Sequence, residues 1–496
     1  MADSHDCEVL IVGAGPVGVT LAVQLALAGV RVIVADRAPE IYPLPRAAHI
    51  DHEIVRVFQS LGIAEEIMAT SRQAGRYDFL TADRQLLMRF EMDAARTPSG
   101  WPASNMIHQP SIEAALRRRL AQLPAARLET GWTFETYEET PDGVSAVFAT
   151  PQGRQTVTAR YLAGCDGASS AVREACGAKF VDLQFDEPWL VVDALVQDAS
   201  RLPDINLQIC DPVRPTTCVL MGEGRHRWEF MLKPGESAAE VQTDAFIWAL
   251  LAPWNVEGAV TLERRAVYRF HALVADRWRV GPVLLAGDAA HQMPPFAGQG
   301  LCSGVRDAAN LAWKLAAILR GEAGAALLDA YQPEREPNVR AIIDMALLMG
   351  KTVCITDPVA AAERDRAMLA QRAAGKGPGG AVGYPPISAG CILAGSPAAG
   401  EFFPQPWSSA APPERLDDRL GPGPWLITRT PADLRDTPLR QACLGDPDMA
   451  PFAADLTGWM DRRGVGDAIL IRPDRYVFGS GSPIDLVRAW TEALGA

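Results

Sequence analysis

The stretch Gly13-Ala14-Gly15-Pro16-Val17-Gly18 decides the fold of this chain. It follows the apolar segment Cys7–Val12, which predicts a buried strand, and it opens a helical pattern over Pro16–Ala28. A second strand is predicted over Arg31–Ala35, with Asp36 directly after it. In such a unit the first glycine makes a tight turn, the second lets the backbone approach a pyrophosphate, and the third packs helix on strand. The stretch therefore predicts a βαβ unit that binds a dinucleotide, with Asp36 accepting hydrogen bonds from a ribose.

The same stretch lies in an uncharged run of 22 residues, Val9–Val30, which is long enough to cross a membrane. Four glycines and Pro16 interrupt the run, and its pattern changes from strand to helix midway. We therefore expect a strand, a turn and a buried helix. The N-terminus is acidic, whereas a secretory signal begins with positive charge, so a cytoplasmic location is expected.

The composition argues against several classes of function. The net charge of −13 disfavours binding to nucleic acid or to an anionic membrane, since both require a positive surface. The nine cysteines include no Cys-x-x-Cys pair, so neither a zinc site nor a dithiol redox centre is indicated. We expect reduced thiols and no metal.

Two later segments also place an acid at the end of a predicted strand. Cys165-Asp166-Gly167 follows Arg160–Ala163, and Gly287-Asp288 follows Val283–Ala286. A carboxylate at a strand end can bind the ribityl chain of a flavin. A helix is predicted from Gly300 to Leu319, and its N-terminus would stabilise negative charge on a reduced flavin by roughly 0.3–2 kcal/mol. These segments favour FAD over NAD as the bound dinucleotide.

The pattern of elements divides the chain into three units. An α/β domain is predicted over residues 1–75, 103–178 and 272–350. Short strands between Pro and Gly turns predict an inserted antiparallel sheet over residues 76–102 and 179–271. Residues 351–386 are predicted as a helix and a linker, which is rich in Gly and Pro from Arg372 to Pro386. Residues 387–496 are predicted to form a small third α/β domain.

In this order, Gly13–Gly18, Asp166-Gly167 and Gly287-Asp288 resemble the three signatures of the class A, single-component FAD-dependent aromatic hydroxylases. The resemblance covers nearly the whole chain. More narrowly, a set of stretches resembles the branch of 3-(3-hydroxyphenyl)propionate hydroxylase and phenol hydroxylase: Pro45–Ala47, Gly100–Pro102, Gln109-Pro110, Cys210–Pro215, Trp228–Met231, Gly304–Lys314 and Ile471–Tyr476.

The resemblance implies a Rossmann-like, GR2-type FAD-binding domain with an inserted antiparallel-sheet substrate domain and a C-terminal thioredoxin-like domain. That last domain lacks redox cysteines here, so a role in packing or in a homodimer is expected rather than electron transfer. The implied reaction uses NADH or NADPH and O2, and a C4a-hydroperoxyflavin transfers one oxygen to the ortho or para carbon of a phenolate.

The resemblance also implies which residues hold the cofactor. Arg46 and Gln109 should contact FAD, Asp166 should lie near the groove, Asp288 should bind the ribityl chain, and Pro295 with Gly298–Leu301 should line the flavin ring. The predicted cofactor-binding residues are Gly13, Gly15, Pro16, Val17, Gly18, Asp36, Arg37, Arg46, Gln109, Asp166, Gly287, Asp288, Pro295, Gly298, Gly300 and Leu301.

The reaction needs a base, because a phenol ionises near pH 10 and its phenolate is the better electron donor. His49 is the candidate, with His52 and Asp51 as rivals. A histidine at this position departs from the pattern of the propionate hydroxylases. His291, after Gly287-Asp288, is expected to be structural.

The preferred substrate is a small phenol with a short acidic side chain, which an arginine would anchor. Arg214, Arg227 and Arg269 are the candidates. An aromatic pocket is predicted from Trp189, Trp228, Phe230, Tyr268 and Phe296, and the predicted substrate pocket also includes Arg214, Met293 and Pro294. Hydroxylation of a polyketide or another phenol, Baeyer–Villiger oxygenation and a non-catalytic FAD-binding role remain as alternatives.

Overall fold

The computed structural model describes residues 5–92, 97–376, 383–432, 434 and 437–495. The strands of this part are β1 Cys7–Val12, β2 Val32–Asp36, β3 His49–Asp51, β4 Arg72–Gln73, β5 Arg76–Leu80, β6 Leu86–Glu91, β7 Ser104–Met106, β8 Ala126–Thr130, β9 Thr133–Thr140, β10 Gly143–Thr150, β11 Gly153–Gly164, β12 Phe180–Val196, β13 Asn206–Ile209, β14 Thr216–Leu220, β15 Arg225–Met231, β16 Val260–Ala275, β17 Arg279–Val280, β18 Val283–Leu285, β19 His291–Gln292, β20 Trp425–Thr428, β21 Arg440–Cys443, β22 Ala468–Ile471 and β23 Val477–Gly481.

The helices are α1 Pro16–Leu27, α2 His52–Leu61, α3 Ala64–Thr70, α4 Gln109–Ala121, α5 Ala171–Ala175, α6 Ala238–Val241, α7 Asp244–Leu251, α8 Gly300–Leu319, α9 Tyr331–Val353, α10 Pro358–Ala373, α11 Leu416–Leu420, α12 Ala450–Arg462 and α13 Pro483–Leu494.

The first sheet contains five parallel strands in the order β18-β11-β1-β2-β8. The run Val9–Val12 on β1 is buried, as expected for a strand covered on both faces. The βαβ unit predicted around Gly13–Gly18 is therefore present, with α1 as its connection. The hairpin of β9 and β10, which pairs with the first half of β11, was not predicted.

The uncharged run Val9–Val30 forms β1, the glycine turn and α1. In the described ranges no helix is both long and apolar enough to cross a membrane.

Helix α4 begins before Ser111, although serine is a residue type favoured at N-caps. The helix starts at Gln109, and His108 is its N-cap. Pro110 lies in the first turn, where the missing backbone N–H costs nothing, so the helix starts earlier than the pattern indicated. The Ser111 hydroxyl instead donates to Glu223.

The second sheet has eight strands in the order β19-β16-β12-β15-β14-β13-β5-β6. Its pairs are antiparallel except β13 with β5, which is parallel. Strands β12 and β16 are 17 and 16 residues long, although the sequence analysis predicts short strands in this region. A smaller sheet has the strand order β3-β7-β4, and its three strands fall between β2 and β8 in the chain.

The C-terminal unit contains a four-stranded sheet in the order β21-β20-β22-β23. Strands β20 and β21 are parallel, and the other two pairs are antiparallel. Ser482 caps α13, the predicted closing helix. Of the predicted linker 372–386, residues 377–382 lie outside the described residues.

A buried cluster of charges joins the C-terminal unit to the first domain. Glu334 on α9 accepts hydrogen bonds from Lys314 on α8 at 2.6 Å and from Arg472 after β22 at 2.7 Å. All three side chains are fully buried. Burial alone would raise the pKa of Glu334, but Arg472 and Lys314 lower it to about 2. The cluster therefore keeps Glu334 ionised at neutral pH.

We expect Arg472→Met to lower the free energy of unfolding by about 3–5 kcal/mol, because it leaves the buried Asp474 without its counter-charge and Glu334 with Lys314 as its remaining cation. Urea denaturation measures the change. The matched control is Arg488→Met, which removes an exposed ion pair with Asp485 and should have no measurable effect. Equal stability of the two variants would contradict the assigned role of the cluster.

Candidate active site

The glycine turn between β1 and α1 is set by close backbone contacts. Gly13 has a φ of +106°, and a Cβ there would lie 2.3 Å from the carbonyl oxygen of Cys165. A Cβ on Gly18 would lie 2.0 Å from the oxygen of Gly13. A Cβ on Gly15 would meet no protein atom within 4 Å. The first and third glycines are thus required by the protein itself, whereas the second faces open space.

Polar contacts hold this turn in place. Asp36 accepts from the backbone N–H of Ala14 at 2.6 Å and of Ala38 at 2.7 Å. Arg117 on α4 donates to the carbonyl oxygen of Ala14. The Arg117 guanidinium therefore reaches the turn and helps to fix it. Asp166 accepts from Ser170 and from the backbone N–H of Val172, beside the same turn.

The loop after β18 packs against the turn from the other side. Gly287 has a φ of +61°, and a Cβ on Gly304 of α8 would lie 2.5 Å from Val17. Asp288 follows Gly287 and is exposed. An accessible carboxylate at this position can meet a ligand. His291 is buried and pairs with Asp307 at 2.6 Å, which is a structural contact.

The segment that carries Arg46 is fixed by side chains from two units. Gln109 accepts from the backbone N–H of Arg46 and Ala47 at 3.2 and 2.7 Å. Arg227 donates to the carbonyl oxygens of Pro45 and Arg46 at 2.8 and 2.9 Å. The Arg46 side chain itself is exposed. Gln109 therefore acts on the backbone of this loop.

A cavity of about 1350 Å³ lies beside the loop after β18. Four of the predicted site residues line it: His49, Pro295, Phe296 and Gly298. The remaining walls include residues of the second sheet, of α9, of the predicted linker and of the C-terminal unit: Tyr77, Thr217, Val219, Glu229, Met345, Tyr384, Glu401, Phe402 and Tyr476. Trp189 lies behind this wall, with its ring 5.7 Å from that of Phe296.

His49 is held so that one ring nitrogen can act as a base. Its Nδ1 lies 3.2 Å from the carbonyl oxygen of Gly298, which can only accept a hydrogen bond. Nδ1 must therefore carry the proton, and Nε2 keeps its lone pair. Burial lowers the pKa of His49 below its usual range, although Asp51 acts in the opposite direction. The ring is neutral at physiological pH.

The two rivals of His49 have other partners. Asp51 caps α2 and accepts from Arg306 at 2.8 Å. Burial alone would raise the pKa of Asp51, but Arg306 lowers it to about 2, so it is a poor base at neutral pH. His52 lines the cavity, and its Nδ1 lies 2.9 Å from the hydroxyl of Ser99.

The structure places several residues of the predicted substrate pocket away from this cavity. Trp228 and Phe230 belong to a separate core behind the sheet, because side chains alternate along β15 and these two point away from the cavity. The alternation places Glu229 on the cavity side instead. Tyr268, Met293 and Pro294 are likewise not among the described residues that line the cavity.

None of the three predicted anchor arginines lines the cavity within the described part of the chain. Arg214 pairs with Glu236 through two bonds of 2.6 and 2.7 Å. Arg227 pairs with Asp193 at 2.6 Å, and Arg269 pairs with Asp186 at 2.5 Å. Their guanidinium groups are therefore engaged within the protein.

Sequence reasoning missed Tyr384, because it lies in a segment predicted as a linker. Its hydroxyl accepts from Gln299, and the Arg306 guanidinium lies 4.4 Å from the centre of its ring. An aromatic residue between Gly383 and Pro385 in an otherwise small-residue segment is the signal that could have found it. Glu229 could have been found from the alternation along its strand.

Comparison with known proteins identifies the domain. Residues 6–346 match the family model described as "FAD binding domain". A probable NADH-specific resorcinol 4-hydroxylase of Rhodococcus jostii is 36% identical over 95% of this chain and 91% of its own length. A 3-(3-hydroxy-phenyl)propionate/3-hydroxycinnamic acid hydroxylase of Mycobacterium sp. (strain JLS) is 39% identical over 73% of this chain and 63% of its own length.

The solved structures support the fold over the whole chain. The flavin-dependent monooxygenase PieE, in complex with FAD and substrate, has a TM-score of 0.83 at 22% identity and covers 98% of both chains. Aklavinone-11 hydroxylase, with FAD and aklavinone, has a TM-score of 0.81 at 24% identity over 100% of both chains. At these identities the likeness concerns the fold alone.

The different surroundings of the glycines predict different defects. Gly15→Ala should fold normally, since Gly15 has an ordinary φ of −75° and open space beside it, but it should weaken FAD binding at least about tenfold. Gly18→Ala should reduce the yield of folded protein, because its Cβ would clash with backbone. Thermal unfolding measures the folding defect expected for Gly18→Ala. Quenching of FAD fluorescence by the apoprotein measures the loss of affinity expected for Gly15→Ala. Unchanged FAD affinity in Gly15→Ala would contradict the position assigned to the dinucleotide.

Proposed function

The chain belongs to the FAD-dependent aromatic hydroxylases, and from this premise we propose that it inserts one oxygen atom of O2 into the ring of a small phenol with NADH as reductant. The observation that carries the proposal is the cavity beside the loop after β18, with the neutral His49 in its wall. NADH is chosen because the relative covered over 91% of its length is named NADH-specific.

The residues of the groove fit FAD. Gly15 leaves room for phosphates at the start of α1, and the exposed Asp288 offers a carboxylate at a strand end. We infer that the other predicted contacts, from Asp36 to Leu301, would also bind this cofactor. Pro295 and Gly298 would contact the flavin ring where it borders the cavity, which both residues also line. When bound, FAD supplies the activation of O2 and the acceptance of hydride from NADH.

His49 would act on the substrate. Its Nε2 accepts the proton of the phenol hydroxyl, which raises electron density at the ortho and para carbons. The hydrogen bond from Nδ1–H to Gly298 orients the ring and stabilises the imidazolium that forms. Phe296 and Met345 supply apolar walls that exclude water from the reacting ring.

The sheets support the predicted division into domains. The first domain would comprise residues 1–75, 103–178 and 272–350, and the sheet domain over 76–102 and 179–271 would bind the substrate. In the C-terminal unit, a parallel pair of strands next to an antiparallel pair is the arrangement of a thioredoxin-like fold. Its buried contacts with α2 and α9 favour a packing role.

The direct test is oxidation of NADH by the flavin-loaded protein with phenol, resorcinol, 3-(3-hydroxyphenyl)propionate and a polycyclic phenol, followed by mass spectrometry. A small phenol should stimulate oxidation and yield a product heavier by one oxygen. Stimulation without an oxygenated product, or no stimulation by any phenol, would refute the proposal.

We expect His49→Ala to slow hydroxylation by roughly 10²–10⁴-fold near pH 7. The defect should be largest at low pH and should shrink as pH approaches 10, because free phenolate then replaces the lost base. As the pH is lowered, the wild-type rate should stay constant until the pH is below the usual pKa of histidine, because burial lowers the pKa of His49. The measurement is the pH profile of single-turnover rates.

His271→Ala, at a half-exposed position on β16, is the control and should keep the wild-type profile. A His49→Ala defect that is the same at every pH would exclude proton transfer by this residue.

A further inference from the structure

The carboxyl group of Glu229 faces the cavity. None of the described residues donates a hydrogen bond to it. The residue is 8% exposed and lines the floor that the second sheet contributes. Its ion-pair neighbour is Arg227, whose Nη1 lies 3.7 Å from Oε1, too far for a hydrogen bond. In the part of the chain that the structure describes, no closer cation or donor is present.

The other polar groups of this floor are already paired. The hydroxyls of Thr217 and Tyr77 donate to the side chain of Gln208 at 2.8 and 3.1 Å. The amide oxygen of Asn206 accepts from the backbone N–H of Leu220 at 2.9 Å. Glu229 is therefore the group through which this wall can recognise a polar ligand. Burial raises its pKa, as expected for a carboxyl group that lacks donors.

The cations around the cavity are engaged or remote. Arg89 makes two bonds to Asp78 at 2.7 and 2.8 Å, and Arg463 pairs with Glu401 at 2.5 Å. Arg372, at the end of α10, is exposed at the rim and has no ion pair among the described residues. Among the described residues that line the buried floor there is thus a hydrogen-bond acceptor and no free cation; the guanidinium of Arg264, whose Nε and Nη2 have no hydrogen-bond partner, is buried but does not line the cavity.

Resting on the proposed function, we propose that Glu229 is a specificity-determining residue: its carboxyl group accepts a hydrogen bond from a second hydroxyl of the substrate. The enzyme would thereby select a neutral aromatic ring with two hydroxyl groups over a phenol that carries a carboxylate.

The selection follows from the cost of burying unpaired polar groups. A second hydroxyl would supply the donor that Glu229 lacks, whereas a phenol with one hydroxyl leaves the carboxyl group unpaired. A substrate carboxylate would bring a second anion into the same buried region without a counter-charge, which is more costly still.

The test compares resorcinol, phenol and 3-(3-hydroxyphenyl)propionate on the flavin-loaded wild type and on Glu229→Gln and Glu229→Leu. Dissociation constants come from calorimetry, and kcat and KM from product formation. The wild type should prefer resorcinol. We expect a loss of about 10- to 100-fold in resorcinol affinity, larger for leucine than for glutamine, with phenol nearly unaffected. Glu240→Gln, an exposed change of equal charge on α6, should alter none of the three.

Two results would overturn the role of Glu229. The first is an equal loss for all three ligands in both variants, which indicates a structural defect. The second is a wild-type preference for the acidic phenol that Arg372→Ala removes, which would place the recognition at the rim. If no phenol is hydroxylated by the wild type, the proposed function fails and this inference fails with it; hydroxylation with unchanged selectivity refutes Glu229 alone.

Discussion

A buried positive charge holds the candidate site together. The guanidinium of Arg306 on α8 is 4% exposed and donates to Asp51, Glu53 and Gln299. Without these acceptors a buried guanidinium would cost several kcal/mol, so β3, the start of α2 and the turn before α8 must meet around it. His49 lies two residues before Asp51 on β3. Its position against Gly298 therefore depends on an ion pair in which it takes no part.

The parts of the site that sequence could predict are those whose chemistry is local. A glycine with positive φ at Gly13, an acid three residues after a strand at Asp288 and the helix beginning at Gly300 are each defined by a few consecutive residues. The bounds of α8 were predicted correctly for the same reason, since glycines precede it and apolar periodicity runs to its end. These features could be predicted from composition and residue spacing, because none of them depends on a contact between residues far apart in the chain.

The parts that sequence could not predict depend on partners distant in the chain. From the sequence, Arg227 was as good a candidate anchor as Arg214 or Arg269. In the structure its guanidinium pairs with Asp193 on the neighbouring strand β12. Trp228 and Phe230 on β15 were predicted as pocket residues because they are aromatic. Which side chains reach the cavity depends instead on the face of the strand, and Glu229 lies on the face toward the cavity whereas Trp228 does not. The position of Tyr384 in the cavity wall could not be predicted, because a segment rich in Gly and Pro has no hydrophobic periodicity from which packing can be inferred.

The C-terminal unit is part of the site rather than an appendage to it. Asp417 accepts hydrogen bonds from Arg56 on α2 and from Arg475, and both cations lower its pKa against the effect of burial. Arg56 lies one turn along α2 from Glu53, which binds Arg306. One helix therefore connects the charges that fix His49 to those that fix the cavity-lining Phe402, whose ring centre is 5.1 Å from the Arg56 guanidinium. Substitutions in the C-terminal unit can thus change the shape of the cavity without contacting His49.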